Sequence, residues 1–175
     1  MGYDVDDYGL LSGVLSIAKI TAGVVGTYVD VGNCPKFEFT AEKEAVDHEE
    51  SRTPYKYRDQ RVVFVKGYTI AFDLEGINLE NLQMFLMGTL EGSATIRGFQ
   101  NLDQEYSLQL VQNNRKGKNY TWVFHRCQIE PDSAMPLIGG MEWAKMSFMA
   151  YALADLANHP ESPFFHTVLM TTTTT

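Results

Sequence analysis

The chain has 175 residues, a formal net charge of -8, and 45% hydrophobic and 12% aromatic residues. That length and apolar content suffice for one buried core and exclude an intrinsically disordered chain. The acidic balance argues against a nucleic-acid-binding surface, because phosphate affinity needs clustered Lys and Arg.

Residues 1–10 are polar and read as an N-terminal arm. In LSGVLSIAKI, residues 11–20, alternation predicts a strand with Val14, Ser16 and Ala18 on one face and Leu15, Ile17 and Lys19 on the other. A second short strand spans residues 34–40, where Phe37 and Phe39 alternate with Glu38 and Thr40. The next segment, AEKEAVDHEESRTPYKYRDQR, is long and highly charged. Hairpin loops usually hold about 2–5 residues, and longer connections inside a domain tend to be functional or disordered. This segment reads as a protruding inter-strand arm over residues 44–60, built to touch something.

The clearest strand follows, in VVFVKGYTIAFDLEG. Tyr68, Ile70, Phe72 and Leu74 share one face, and Thr69, Ala71 and Asp73 the other. Asn78 then offers an N-cap to a short helix, with Ile77 and Leu82 spaced as a hydrophobic staple. Leu79, Leu82, Phe85 and Leu86 form its apolar stripe, and Gly88 its stop. A helix of about ten residues is marginal alone, so the stripe is expected to dock on a sheet.

Strands are further predicted over residues 94–99, 106–112 and 120–129, the last two joined by the turn NNRKGKN, whose Asn113, Asn114 and Gly117 supply turn chemistry. Residues 131–140 read as a loop and 143–153 as a strand with two largely apolar faces, which requires cover on both sides. Trp122 and Trp143, inside apolar strands, are expected in the core. The tail, residues 164–175, is apolar and then low in complexity, and reads as either a frayed end or a docking arm. The fold class is mainly β (α+β): two packed antiparallel sheets or a flattened barrel, with one short flanking helix, in a single domain.

Candidate chemistry is sparse. Asp47, His48, Glu49 and Glu50 are consecutive, so their side chains cannot all converge on one ion, and they read as a solvated acidic face. His125 and Cys127 share a strand face, but the further ligands or orienting acid that a site needs are not evident. Phosphate-binding glycine loops do not occur in the sequence. Cys34 and Cys127 read as small buried thiols of a reducing compartment, with a single disulfide between them left open. The expectation is a protein that is not an enzyme, takes no cofactor or metal, and does not enter a membrane: no run of about 18 apolar residues occurs, and the start MGYDVDDYG is acidic where a signal peptide is basic.

Several segments together resemble a known family. VGNCPKFEFTAEKEAVDHEESR, YRDQRVV, KGYTIAFDLEGI, ENLQMFLMG and PLIGGMEWAKMSFMAYALAD are similar, in order, spacing and character, to the major tail tube proteins of long-tailed phages. The resemblance covers residues 11–163. It implies a structural virion protein that closes into hexameric rings stacked into a hollow tail tube, assembled in the host cytoplasm, with tape-measure, tail-terminator and distal-tail proteins as partners. DNA passes through the lumen without specific binding.

Under that reading the arm contacts the next ring through Glu44, Asp47, Glu49, Glu50, Arg52, Tyr55, Lys56, Tyr57 and Arg58, the acids meeting basic groups on neighbours. Glu38, Thr40, Thr69, Asp73 and Gln109 are candidates to line the lumen. The same resemblance leaves open the tube of a contractile tail, a tailocin, a gene-transfer particle or a type VI secretion system. A β-sandwich binding or capsid-decoration module is the alternative from another class, and it would gather exposed aromatics on one face.

Overall fold

The computed structural model describes residues 9, 11–52, 54, 56–139 and 143–170. Its elements are β1 (Gly13–Thr21), β2 (Val24–Val25), β3 (Val29–Asp30), β4 (Lys36–Glu50), β5 (Tyr57–Leu74), α1 (Leu79–Phe85), β6 (Thr89–Glu91), β7 (Thr95–Arg97), β8 (Glu105–Gln112), β9 (Asn119–Pro131), β10 (Met146–Ala152) and β11 (Phe165–Met170). The protein is mainly β with one helix, as the sequence predicts. Nine strands form one antiparallel sheet in the order β2-β1-β8-β9-β10-β5-β4, with β3 added to β1 and β11 to β9, while β6 and β7 form a separate hairpin. The sheet is not closed into a barrel.

It is nevertheless strongly curled. Phe37 and Phe39 of β4 lie 5.9 and 6.0 Å from the ring of Phe124 on β9, although β5 and β10 stand between those strands in the sheet. Strands spaced at about 4.8 Å would hold β4 and β9 roughly 14 Å apart in a flat sheet, so the edge carrying β4 folds back over the centre. The concave side is the core: Tyr68, Ile70, Phe72 and Leu74 of β5 meet Met146, Phe148 and Ala150 of β10, Phe124, Cys127 and Ile129 of β9, Leu108 of β8 and Leu15 of β1, all nearly inaccessible to solvent. The two outer edges approach without pairing, across a cleft of about 360 Å3 lined by Leu15, Phe37 and Leu110 among others.

The helix closes the concave side. Asn78 caps it, its side-chain oxygen accepting from the Asn81 amide at 2.8 Å, as expected. Phe85 meets Phe148 edge-on at 5.6 Å, and Leu82 also packs on the core. Three details differ from the sequence reading. The buried helical residues are Asn81 and Met84, because Asn81 donates to the carbonyls of Val31 and Gly76 at 2.9 and 2.8 Å and ties the helix to the β3 loop. Ile77, expected as half of the staple, is left half exposed. The left-handed residue after the helix is Met87, at φ 43°. Gly88 is required for another reason: a Cβ there would fall 2.6 Å from the Arg97 carbonyl of β7.

Other expectations need correction. The strand predicted at 94–99 shrinks to β7, since Phe99 takes φ 57° and turns the chain. The strand predicted at 143–153 begins only at Met146, and Trp143 is 89% exposed rather than in the core. Trp122 does join the core, stacked with Phe124 and Phe165. The C-terminal segment is no frayed end as far as Met170: β11 pairs with β9 from Phe165↔Phe124 to Met170↔Asn119. The predicted N-terminal arm, apart from Gly9, and residues 171–175 of the tail lie outside the described residues.

Phe72 and Phe148 stack at 5.0 Å and are almost fully buried. Truncating either to Ala should cost about 3–5 kcal/mol, read as a lower denaturant midpoint; a change below about 1 kcal/mol would mean that this pair does not anchor the core.

Candidate assembly surface

The charged segment predicted as a long arm is neither a loop nor a simple turn. It is a two-stranded ribbon, and β4 and β5 stay paired from Lys36↔Asp73 out to Glu50↔Tyr57, leaving only residues 51–56 as the tip. Within the sheet, β5 also pairs with β10, but only through Thr69–Leu74. Beyond Gly67 no third strand among the described residues pairs with the ribbon, and a register shift between Glu42 and Lys43 marks the point where it leaves the sheet. Its ten β4 residues, 41–50, give it a reach of about 30 Å.

Cross-strand partners lie on the same face of a ribbon. Val46 and Val62 are partners and share one face with Phe64, which is opposite Glu44. Val63 and Val65, opposite Ala45 and Lys43, occupy the other face. All five large residues are between 46% and 67% exposed. The ribbon therefore offers apolar surface on both faces and unpaired backbone on both edges, an arrangement that monomeric proteins avoid.

The charges expected to reach across to neighbours are largely engaged within the ribbon. Asp47 contacts Arg58 at 3.1 Å and Arg61 at 3.6 Å. Glu44 meets Lys66 at 2.7 Å. His48 bonds Asp59 at 2.6 Å, and this bond holds the exposed Asp59 carboxyl below the usual carboxylate range. The Arg52 amide donates to the Glu50 carboxylate. Glu49 faces Arg58 in the ladder, Lys56 lies in the tip, and Tyr57 is half exposed at the last ladder pair. Tyr55 lies outside the described residues. Sequence reasoning found the arm but missed its apolar part, which is carried by the run Val62, Val63, Phe64 and Val65.

The five lumen candidates all lie on the side of the sheet away from the core. Glu38 is opposite Ala71, Thr40 opposite Thr69, and Lys36 opposite Asp73; Gln109 faces Ser16 and Val123. Several charges on this convex face are paired. Lys36 meets Glu38 at 3.3 Å and Lys145 meets Asp73 at 3.4 Å. Arg126 holds Glu105 through two hydrogen bonds. Asp73 is only 8% exposed, so Glu38 and Thr40 are the more accessible pair.

Neither cysteine reading points to chemistry. Cys34 and Cys127 are both free thiols. The Cys34 thiol donates to the Lys36 carbonyl, and its pKa is pushed up to about 11, mainly by burial. Cys127 donates to the Tyr106 carbonyl in the core, where burial pushes its pKa up strongly. His125 does not pair with it. The β8–β9 register slips between Tyr106 and Leu108, placing His125 and Arg126 opposite Ser107 alone. This bulge turns His125 towards two histidines that sequence reasoning did not single out, His159 and His166. Their spacing, on either side of the Pro-rich turn HPESPFFH, was the available signal. Among the described residues, no group of three or more His, Cys, Asp or Glu is arranged to hold a metal ion, and no helix is long and apolar enough to cross a membrane.

No curated protein matches the chain. Residues 8–96, which take in β1, the whole ribbon, the helix and all but the last residue of the β6–β7 hairpin, match the family described as Protein of unknown function UCP028589. That match spans just over half of the chain, which therefore belongs to this family.

Proposed function

We propose that this protein is the structural subunit of a tail tube, self-assembling into hexameric rings that stack into a hollow conduit for phage DNA. The observation that carries the reading is the bare ribbon, whose apolar faces and open edges are incomplete in a single subunit. The resemblance of residues 11–163 to tail tube proteins supplies the kind of assembly. Tape-measure, terminator and distal-tail proteins are the expected partners at the tube's core and ends, and the virion tail is the place of action.

Magnitudes favour apolar contacts over ion pairs at the ring junctions. Burying a Val or Phe side chain contributes about 1.5–3 kcal/mol, whereas an exposed ion pair contributes about 0–1 kcal/mol. The ribbon's charges instead stiffen it and keep it soluble until a neighbour covers its valines and phenylalanine.

A second reading rests on a specific observation. Leu137, Ile138 and Trp143 are 84%, 97% and 89% exposed around one loop, and an exposed apolar cluster with a tryptophan suits a binding or capsid-decoration module. Negative-stain microscopy of the purified chain separates the two. Rings of fixed diameter or hollow tubes are expected, whereas monodisperse monomers that bind glycan or capsid would replace the tube reading with the second.

Replacing residues 46–58 with a short Gly-Ser turn should leave folded subunits or rings and block stacking. Changing Val62, Phe64 and Val65 to Thr should do the same with a stability change of only about 0.5 kcal/mol per substitution, because the sites are exposed. Tubes of normal length from both variants would remove the ribbon from the junction.

The convex face is assigned to the lumen. Asp73 is a poor probe, since a Lys there would be buried beside Lys145. Changing Glu38 and Thr40 together to Lys should permit assembly but slow genome ejection, more so at low ionic strength, where free cations hold phosphate most tightly. Ejection kinetics identical to wild type in assembled tails would take this face out of the lumen.

A further inference from the structure

We propose that His125, His159 and His166 form an acid-released latch that holds the C-terminal strand β11 against β9. The inference does not depend on the tube reading. The three side chains come from three different elements: β9, the turn at 155–159 and β11. The His125 and His159 rings stack with centroids 3.6 Å apart and planes at 14°. His166 Nδ1 lies 3.3 Å from His125 Nε2, with ring centroids 4.9 Å apart. His125 is 3% exposed, and its backbone N–H donates to the Phe164 carbonyl at the root of β11.

The contact works only while the imidazoles are neutral. A single hydrogen between Nδ1 of His166 and Nε2 of His125 makes a donor and an acceptor. If both rings are cationic, both nitrogens carry hydrogen and the bond becomes a repulsion. The stacked His159 ring adds a third potential charge at close range.

Few neighbouring groups can compensate. Asp155 is the one carboxylate on the turn acting on His125, and it accepts hydrogen bonds from the backbone and side chain of Asn158. Arg126, next along β9, is itself cationic and engaged with Glu105 on β8. One carboxylate cannot neutralise three imidazolium rings beside an arginine.

Burial, then His159 and His166, push the His125 pKa down to about 4 from 6.5, with Asp155 opposing. A His whose pKa is depressed in the closed state contributes its full stabilisation above about 6.5 and loses it as the pH falls towards about 4. At tenfold per pKa unit, the open fraction of β11 should rise at least tenfold between pH 7.5 and pH 4.5.

Trp122 reports on this directly, because it stacks on Phe165 of β11 with centroids 6.1 Å apart. In the full chain carrying Trp143→Phe, which removes the other, exposed tryptophan, Trp122 emission should shift to the red with a midpoint between pH 6.5 and 4 while the far-UV signal of the sheet persists. In the same background, His159→Gln with His166→Gln should abolish that shift or move it to lower pH. Emission constant to pH 4, an identical midpoint in the double variant, or a shift coincident with global loss of the far-UV signal would each overturn the latch. If the double variant does not fold, hydrogen exchange of the β11 amides in the wild-type chain, corrected for intrinsic pH dependence, decides: equal protection at pH 7.5 and 4.5 overturns it, and selective loss at 4.5 supports it.

Discussion

The aromatic cluster around Phe124 is the constraint on which the rest of this fold depends. Phe39 of β4, Tyr68 of β5, Trp122 and Phe124 of β9, and Phe165 of β11 lie within 6.5 Å of one another ring to ring in most pairings. Rings from strands separated in the sheet can meet only if the sheet bends. The bend creates the concave core, gives the helix a surface to close, and leaves the polar residues on the convex side. It also keeps the β1 and β4 edges apart by a cleft rather than by hydrogen bonds, so the curl stops short of a barrel and β4 keeps a free edge. That free edge continues into the ribbon. The ribbon's exposure is thus a consequence of the packing that stabilises the body.

What could be read from the sequence follows the same division. Inside the sheet, β5 obeys a two-residue period because one face is buried and the other is not, and its face assignment from Tyr68 to Leu74 was legible. The helix cap at Asn78 and the turn at residues 113–119 were legible because capping and turn residues act locally. There, Asn114 accepts from the Ser12 amide and donates to the Lys118 carbonyl, and Gly117 takes φ 96°. Beyond Gly67 none of the described residues of the ribbon is buried, so no period distinguishes the faces and the segment from Ala41 to Arg61 resembles a loop. Its strand character comes from cross-strand pairing between two halves that are each unremarkable alone.

The remaining misses also have long-range causes. The apolar neighbours of Trp143 predict a core residue, yet the strand begins three residues later, where Met146 first pairs with Leu74. The last strand was hidden because its partner surface on β9, Asn119 to Phe124, is the half that β10 leaves uncovered. β9 is long enough to hold β10 along one half of an edge and β11 along the other, and no local pattern announces that. The bulge at His125 belongs to the same class: alternation predicts that His125 and Cys127 share a face, and an extra residue in the strand separates them.

The convex face sharpens what a conduit for DNA requires. An acidic chain suggests a wall that repels the polyanion, yet three carboxylates on this face are met by cations, Glu38 by Lys36, Asp73 by Lys145 and Glu105 by Arg126, while Glu130, opposite Met149, has no ion pair among the described residues. Adhesion to DNA is driven by cations that surrender diffusible counterions when they meet phosphate. A lysine already facing a carboxylate has less to gain, since it exchanges one fixed anion for another and leaves the carboxylate unpaired beside the DNA. In the proposed tube, the wall would therefore avoid sticking by leaving few cations unpaired rather than by presenting a strong negative field. The distinction matters for rate: a paired face is smooth to a moving phosphate chain at any register, whereas isolated charges of either sign would mark out preferred positions along the path.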